Sequence, residues 1–227
     1  MYYLDKEHIH KKIFDIYQEC DIHEFPLDCF SVLEHYGLRL ITYQEVKIEK
    51  PDLFCAISNY SKDAFRFRMT VYYNALNNIG RIRFSLMHEL GHFILGHAEE
   101  SEDNEDEADY FASCILAPRV AIKKLNCITS DDIHKTFGLS YAAANRTLLD
   151  YKDWNNSNPS ITDNHLQLWI FDKQLYLETE NIQKKLAKQH KRTRKQLEER
   201  QRIVNTFSEY YQIHAEDILE RQRIGIE

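Results

Sequence analysis

Glycine and proline are scarce in this chain, 6 and 4 in 227 residues, which excludes a collagen-like, loop-dominated or low-complexity protein. Long apolar runs are missing as well. No stretch approaches the ~18 residues that a membrane-spanning helix needs, and Met1–Lys6 has no basic segment leading into an apolar one, so a cytoplasmic protein is expected. The five cysteines (Cys20, Cys29, Cys55, Cys114, Cys127) are odd in number, widely spaced and without a Cys-x-x-Cys pair. That excludes a disulfide framework or a cysteine-rich zinc module and leaves reduced, buried thiols. Positive charge is short overall, with a net −7, so whole-chain affinity for nucleic acid is not suggested. It is concentrated in Lys184–Arg202, where nine Lys/Arg face two Glu. If the chain contacts nucleic acid directly, this is where it does so.

What is present is an ordinary globular composition, 43% hydrophobic and 12% aromatic, in a chain longer than one typical domain. Apolar spacing predicts helices over His8–Cys20 and Leu27–Tyr36, the second stopped at Gly37. Leu38–Tyr43, Leu53–Asn59 and Phe65–Asn74 are rich in β-branched and aromatic residues and predict a small antiparallel sheet. Asn77–Leu95 carries Ile82, Leu86, Leu90 and Phe93/Ile94 on one face and ends at Gly96, the strongest helix signal in the chain. A helix over Glu107–Leu116 is halted by Pro118, and two shorter ones follow Thr129-Ser130 and Ser140, whose hydroxyls suit N-caps. Asn155–Pro159 reads as a linker, which divides the chain into 1–154 and 155–227. Beyond it, Leu166–Phe171 and Leu175–Leu177 flank Asp172-Lys173 like a hairpin, and a long charged helix covers Glu180–Arg202 with another behind it. The expected class is α+β.

Within the Asn77–Leu95 helix, His88-Glu89-Leu90-Gly91-His92 is a His-Glu-x-x-His pattern. Histidines at i and i+4 lie on one helix face, with Cβ atoms about 5–6 Å apart, so both imidazoles can converge on one zinc ion. Glu89 is placed to take a proton from water beside that metal, the arrangement of a zinc-dependent peptidase. A catalytic zinc needs a third protein ligand. His97 has the wrong spacing for a metzincin, which would hold Gly where Leu95 stands and the third His where Ala98 stands; it fits better as a helix-end residue supporting a ligand. Glu107 is the favoured third ligand on a second helix, with Asp103, Glu105, Asp106 and Asp109 as rivals. Tyr110, His97 or a tyrosine of Tyr72-Tyr73 are candidate donors to an oxyanion, and the strand ending Tyr72-Tyr73-Asn74 is the expected edge for a substrate peptide.

Arg81–His92, followed by Asp106-Glu107-Ala108-Asp109-Tyr110-Phe111-Ala112-Ser113-Cys114-Ile115-Leu116-Ala117-Pro118, resembles the ImmA/IrrE family of metallopeptidases. Pro26-Leu27-Asp28 is similar to that family's N-terminal portion, and Phe137-Gly138-Leu139-Ser140 with Tyr141–Arg146 to its helical tail. The likeness covers roughly residues 1–150. It implies a zincin-like fold, zinc held by His88, His92 and Glu107, Glu89 as the catalytic residue, and a helix-turn-helix transcriptional repressor as substrate in a stress-response or mobile-element switch. One departure is Met87, where members commonly have a small residue. Two other readings remain: Asp131–Phe137 with Ser140–Leu149 as a DNA-binding helix-turn-helix, flanked by phosphate-repelling Asp131, Asp132 and Asp150, and a metal-bearing module that binds without cutting.

Overall fold

The computed structural model describes residues 4–99, 101–157 and 159–224. Helix α1 (Lys6–Glu19) starts at Asp5, whose carboxylate accepts the His8 N–H, and buries Ile9, Ile13, Ile16 and Tyr17. Helix α2 (Cys29–His35) starts at Asp28, which accepts the N–H groups of Phe30 and Ser31. Strand β1 (Arg39–Thr42) leads through a Thr42/Glu45 capping box into α3 (Tyr43–Glu49).

Leu53–Asn59 is a helix, α4 (Pro51–Tyr60), and not the expected strand. Pro51 at its first turn presets a helical φ, and Phe54 and Ile57, three apart, pack together with Tyr43 and Val46. The mixed composition of Leu-Phe-Cys-Ala-Ile hid that period. Two short strands follow, β2 (Ala64–Phe67) and β3 (Thr70–Tyr73), turning at Arg68 with φ +54. The sheet order is β1-β3-β2, with β1 parallel to β3 (Arg39↔Thr70) and β2 antiparallel to it (Ala64↔Tyr73). The expected antiparallel sheet is therefore mixed. The chain leaves β1 through α3 and α4, enters β2 running the opposite way, and only after the turn at Arg68 comes back parallel to β1 in β3. Tyr72 and Tyr73 lie on the central strand, so the free edge beside the active helix is β2 instead.

Helix α5 (Ile79–Leu95) runs from the Asn78 cap to Gly96 in the left-handed conformation, as expected. Helix α6 (Glu102–Leu116) begins five residues before the expected Glu107, because Ser101 caps it by accepting the Asn104 N–H. α5 and α6 pack against each other, and Leu86, Met87, Leu90 and Gly91 of the one and Phe111, Ala112 and Ile115 of the other are all buried. A Cβ at Gly91 would lie 3.0 Å from Phe111 and 3.3 Å from the Ala108 Cα, so the absence of a side chain there sets the closeness of the two helices.

Helices α7 (Arg119–Lys124), α8 (Ser130–Phe137), α9 (Tyr141–Asn155) and α10 (Ile161–Phe171) complete this part. The caps at Thr129 and Ser140 are where the sequence put them. The expected hairpin over Leu166–Leu177 is helical: a Ser160/Asp163 capping box starts α10, and Leu166, Trp169 and Ile170 are its buried face. The alternation of Leu166, Leu168 and Ile170 imitated a strand. α10 packs on α1, with the Trp169 indole N–H donating to the Tyr17 carbonyl at 2.9 Å, and this compact unit runs through Lys173. Gln174–Glu227 is a second unit, formed over its described residues by one 52-residue helix, α11 (Lys173–Ile224), where a charged helix and a separate successor were expected. Among the described residues no helix is long and apolar enough to cross a membrane.

Candidate metal centre

α5 turns His88 and His92 toward α6, and their Nε2 atoms are 3.0 Å apart. α6 answers with Glu105, whose carboxylate oxygens lie 3.2 Å from His88 Nε2 and 3.3 Å from His92 Nε2. These three side chains form a group able to hold a metal ion. Donors each about 2.0–2.1 Å from a tetrahedral zinc stand about 3.3 Å from one another, and each nitrogen here lies close to that distance from the other and from one oxygen of the Glu105 carboxylate. The donor set of two imidazoles and a carboxylate fits zinc equally well.

The structure thus brings Glu105, and not Glu107, to the histidine pair. Because α6 starts at Ser101, Glu105 sits a full turn inside a regular helix, on the face that also carries Ala108, Asp109 and Ala112 and packs on α5. Glu107 points round the helix to the residue beyond the α5 cap, accepting from His97 Nε2 at 3.0 Å. His97 Nδ1 lies 2.9 Å from His92 Nδ1, and Asp109 is 2.8 Å from His88 Nδ1. Each histidine therefore has its far nitrogen held, which fixes ring orientation and tautomer for a metal ligand. His97 thus lies between His92 and Glu107. Tyr110 does not reach the site: its hydroxyl pairs with His10 Nε2 at 2.9 Å, and it lines a neighbouring cavity.

Electrostatics separate the two histidines. Burial, then the charges of His88 and His97, press His92 down to about 4, which keeps it neutral and able to donate a lone pair. Burial also works against the charged form of His88, but the hydrogen bond and charge of Asp109, helped by Glu89 and Glu105, hold it above the ordinary value. Glu89 is largely buried beside the pair, and burial raises its carboxyl pKa; the charge of His88 and the Arg66 backbone N–H, which donates to it, pull it partly back. A carboxylate with a raised pKa, next to three convergent donors, is suited to shuttling protons.

These groups open on a cleft of about 550 Å³, walled by Tyr60, Phe65 and Arg66 on one side and Ser85 and Asp109 on the other. The sequence did not single out Arg66, and it weighed Asp109 only as a ligand. The signal for Glu105 and Asp109 was there in their i, i+4 spacing on one helix face.

Residues 47–149 match the family model Peptidase_M78, described as the IrrE N-terminal-like domain. No curated protein and no solved structure matches the chain.

Proposed function

We propose that this chain, whose residues 47–149 match the IrrE N-terminal-like domain model of Peptidase_M78 and which resembles the ImmA/IrrE family, is a cytoplasmic zinc-dependent endopeptidase with a zincin-like fold. The observation that carries the reading is the convergence of His88 Nε2 and His92 Nε2, 3.0 Å apart, on the Glu105 carboxylate, whose Oε2 is 3.2 Å from the first and whose Oε1 is 3.3 Å from the second. His88, His92 and Glu105 hold the ion in this reading, Asp109 and His97 orient the imidazoles, and Glu107 steadies His97. A zinc ion there supplies Lewis acidity, polarising a carbonyl oxygen and making water acidic enough to lose a proton near neutral pH.

The protein's own groups supply the rest. Glu89 accepts the proton of the attacking water and passes it to the departing amine nitrogen, a transfer that its raised pKa favours. The substrate lies extended along β2. Antiparallel strands alternate their outward groups, and the Arg66 N–H already points away from β3 toward Glu89. Ala64, two residues back, presents its N–H and carbonyl to the same side and offers a peptide the start of a ladder. The substrate class that the family resemblance favours is a helix-turn-helix transcriptional repressor.

Glu89→Gln tests the reading. It is expected to retain zinc and partner binding while abolishing cleavage; continued processing by that variant would remove Glu89 from catalysis and favour a metal-bearing module that binds without cutting.

A further inference from the structure

Arg66 is a cation in the cleft whose donors the fold leaves largely unused. β2 alternates its side chains: Phe65 packs into the cluster of Tyr43, Val46 and Ile57, while Ala64 and Arg66 face the other way, toward α5. The guanidinium lies over the Phe93 ring, 5.6 Å from its centroid, and lines the cleft together with Glu89 and His92. Stacking on an aromatic face leaves the N–H edge of a guanidinium available. A guanidinium has five N–H donors. Among the described residues, the acceptor found for Arg66 is the Arg68 carbonyl, 3.1 Å from Nη1, and its solvent-shielded Nε has none. Arg81, by contrast, grips both oxygens of Asp63 at 2.6 Å, and Arg119 is engaged by Ser113 and Asp150.

The other donors considered for an oxyanion are occupied or elsewhere. Tyr110 is paired with His10, both ring nitrogens of His97 are in contact with His92 and Glu107, and Tyr72 and Tyr73 stand on the central strand. Peptide hydrolysis builds up an oxyanion that such a donor stabilises alongside the metal. As the water oxygen bonds to the carbonyl carbon, the C=O π pair moves onto oxygen, and the water's proton goes to Glu89. The C–N bond then breaks as that pair returns, and the nitrogen leaves with the proton from Glu89. Negative charge peaks on the former carbonyl oxygen midway, where a preplaced cation acts most strongly.

We propose that Arg66 is a catalytic residue that binds the scissile carbonyl oxygen and stabilises its developing charge, from its place on the edge strand along which the peptide lies. This rests on the metallopeptidase reading. Its test uses a stable anion in place of the tetrahedral species: binding of N-phosphoryl-leucyl-alanine to the zinc-loaded full-length chain, by calorimetry, with zinc content and melting temperature measured on every sample. Arg66→Gln is expected to weaken binding about 30-fold, the loss of a charge-assisted contact, with zinc content and melting unchanged, and Arg66→Lys to recover part of it. Unchanged phosphoryl-dipeptide affinity in a zinc-loaded Arg66→Gln overturns the assignment alone. Loss of zinc or a lowered melting temperature in Arg66→Gln makes Arg66 a structural residue and overturns it too. A wild-type chain that takes up no zinc overturns the metallopeptidase reading itself, which keeps the two failures apart.

Discussion

The centre of this protein depends on a few side chains held by others. Glu105 and Glu107 are two residues apart on α6, yet one meets the histidine pair and the other meets His97. Their substitutions should differ accordingly. Glu105→Gln is expected to lose zinc, whereas Glu107→Gln and Asp109→Asn keep it with affinity reduced about 10–100-fold, the usual cost of removing a ligand's support; competition with a chromophoric chelator measures all three. Equal zinc loss in Glu105→Gln and Glu107→Gln would mean that both carboxylates take part. Glu89 adds a dependence on pH. Burial raises its carboxyl pKa, and a general base works only when ionised, so cleavage should fail as pH drops through that raised value, above the ordinary ~4.3 of a glutamate. A pH–rate profile of kcat with its acid limb at or below 4.3 would contradict the burial argument.

At the scale of elements, the site exists because α5 and α6 approach closely. Gly91→Val would drive a branched side chain into Phe111 and Ala108, and is expected to lower stability by about 1–3 kcal/mol and to weaken zinc binding with it. A Cβ at Gly80 would lie 2.5 Å from the Ser140 backbone nitrogen, so Gly80→Ala should also destabilise, but without moving the ligands. Thermal unfolding with and without zinc separates these two outcomes. Helix caps are a further source of stability: Asp28→Ala, which deprives α2 of its N-terminal acceptor, should cost about 1 kcal/mol. The same hydrogen bonds hold the Asp28 carboxyl below its usual value, so its contribution is present above pH ~4 and lost as pH falls below that. Elements of this kind were readable in the sequence. Caps, glycine stops and the 3.6-residue period gave α1, α2, α5 and α8 to within about two residues, and the start of α9, which runs on to Asn155 past the expected Leu149. The failures share a cause: short apolar runs, Leu53–Asn59 and Leu166–Leu177, fit a strand and a helix alike until packing partners choose. The carboxylate that meets the histidine pair is Glu105, where Glu107 was expected, and the packing of α6 on α5 that decides this was not readable in the sequence.

The whole molecule divides into Met1–Lys173, which holds the sheet, the paired helices and the candidate centre, and Gln174–Glu227. The basic stretch Lys184–Arg202 lies along α11, its described side chains exposed, with ion pairs such as Lys184–Glu180 and Arg194–Glu198 one turn apart. Among the described residues, the group able to hold a metal lies in the first unit. A chain ended at Lys173 is expected to keep its zinc and to lose whatever salt-sensitive retention the full chain has on heparin; retention equal to the full chain's would move any polyanion contact away from α11.

Zinc per chain, by elemental analysis of mildly purified wild-type protein beside His88→Ala, tests the central claim most directly. About one zinc in the wild type and none in the variant is the expected result. Equal zinc in both, or none in either, would contradict a metal centre built on His88, His92 and Glu105.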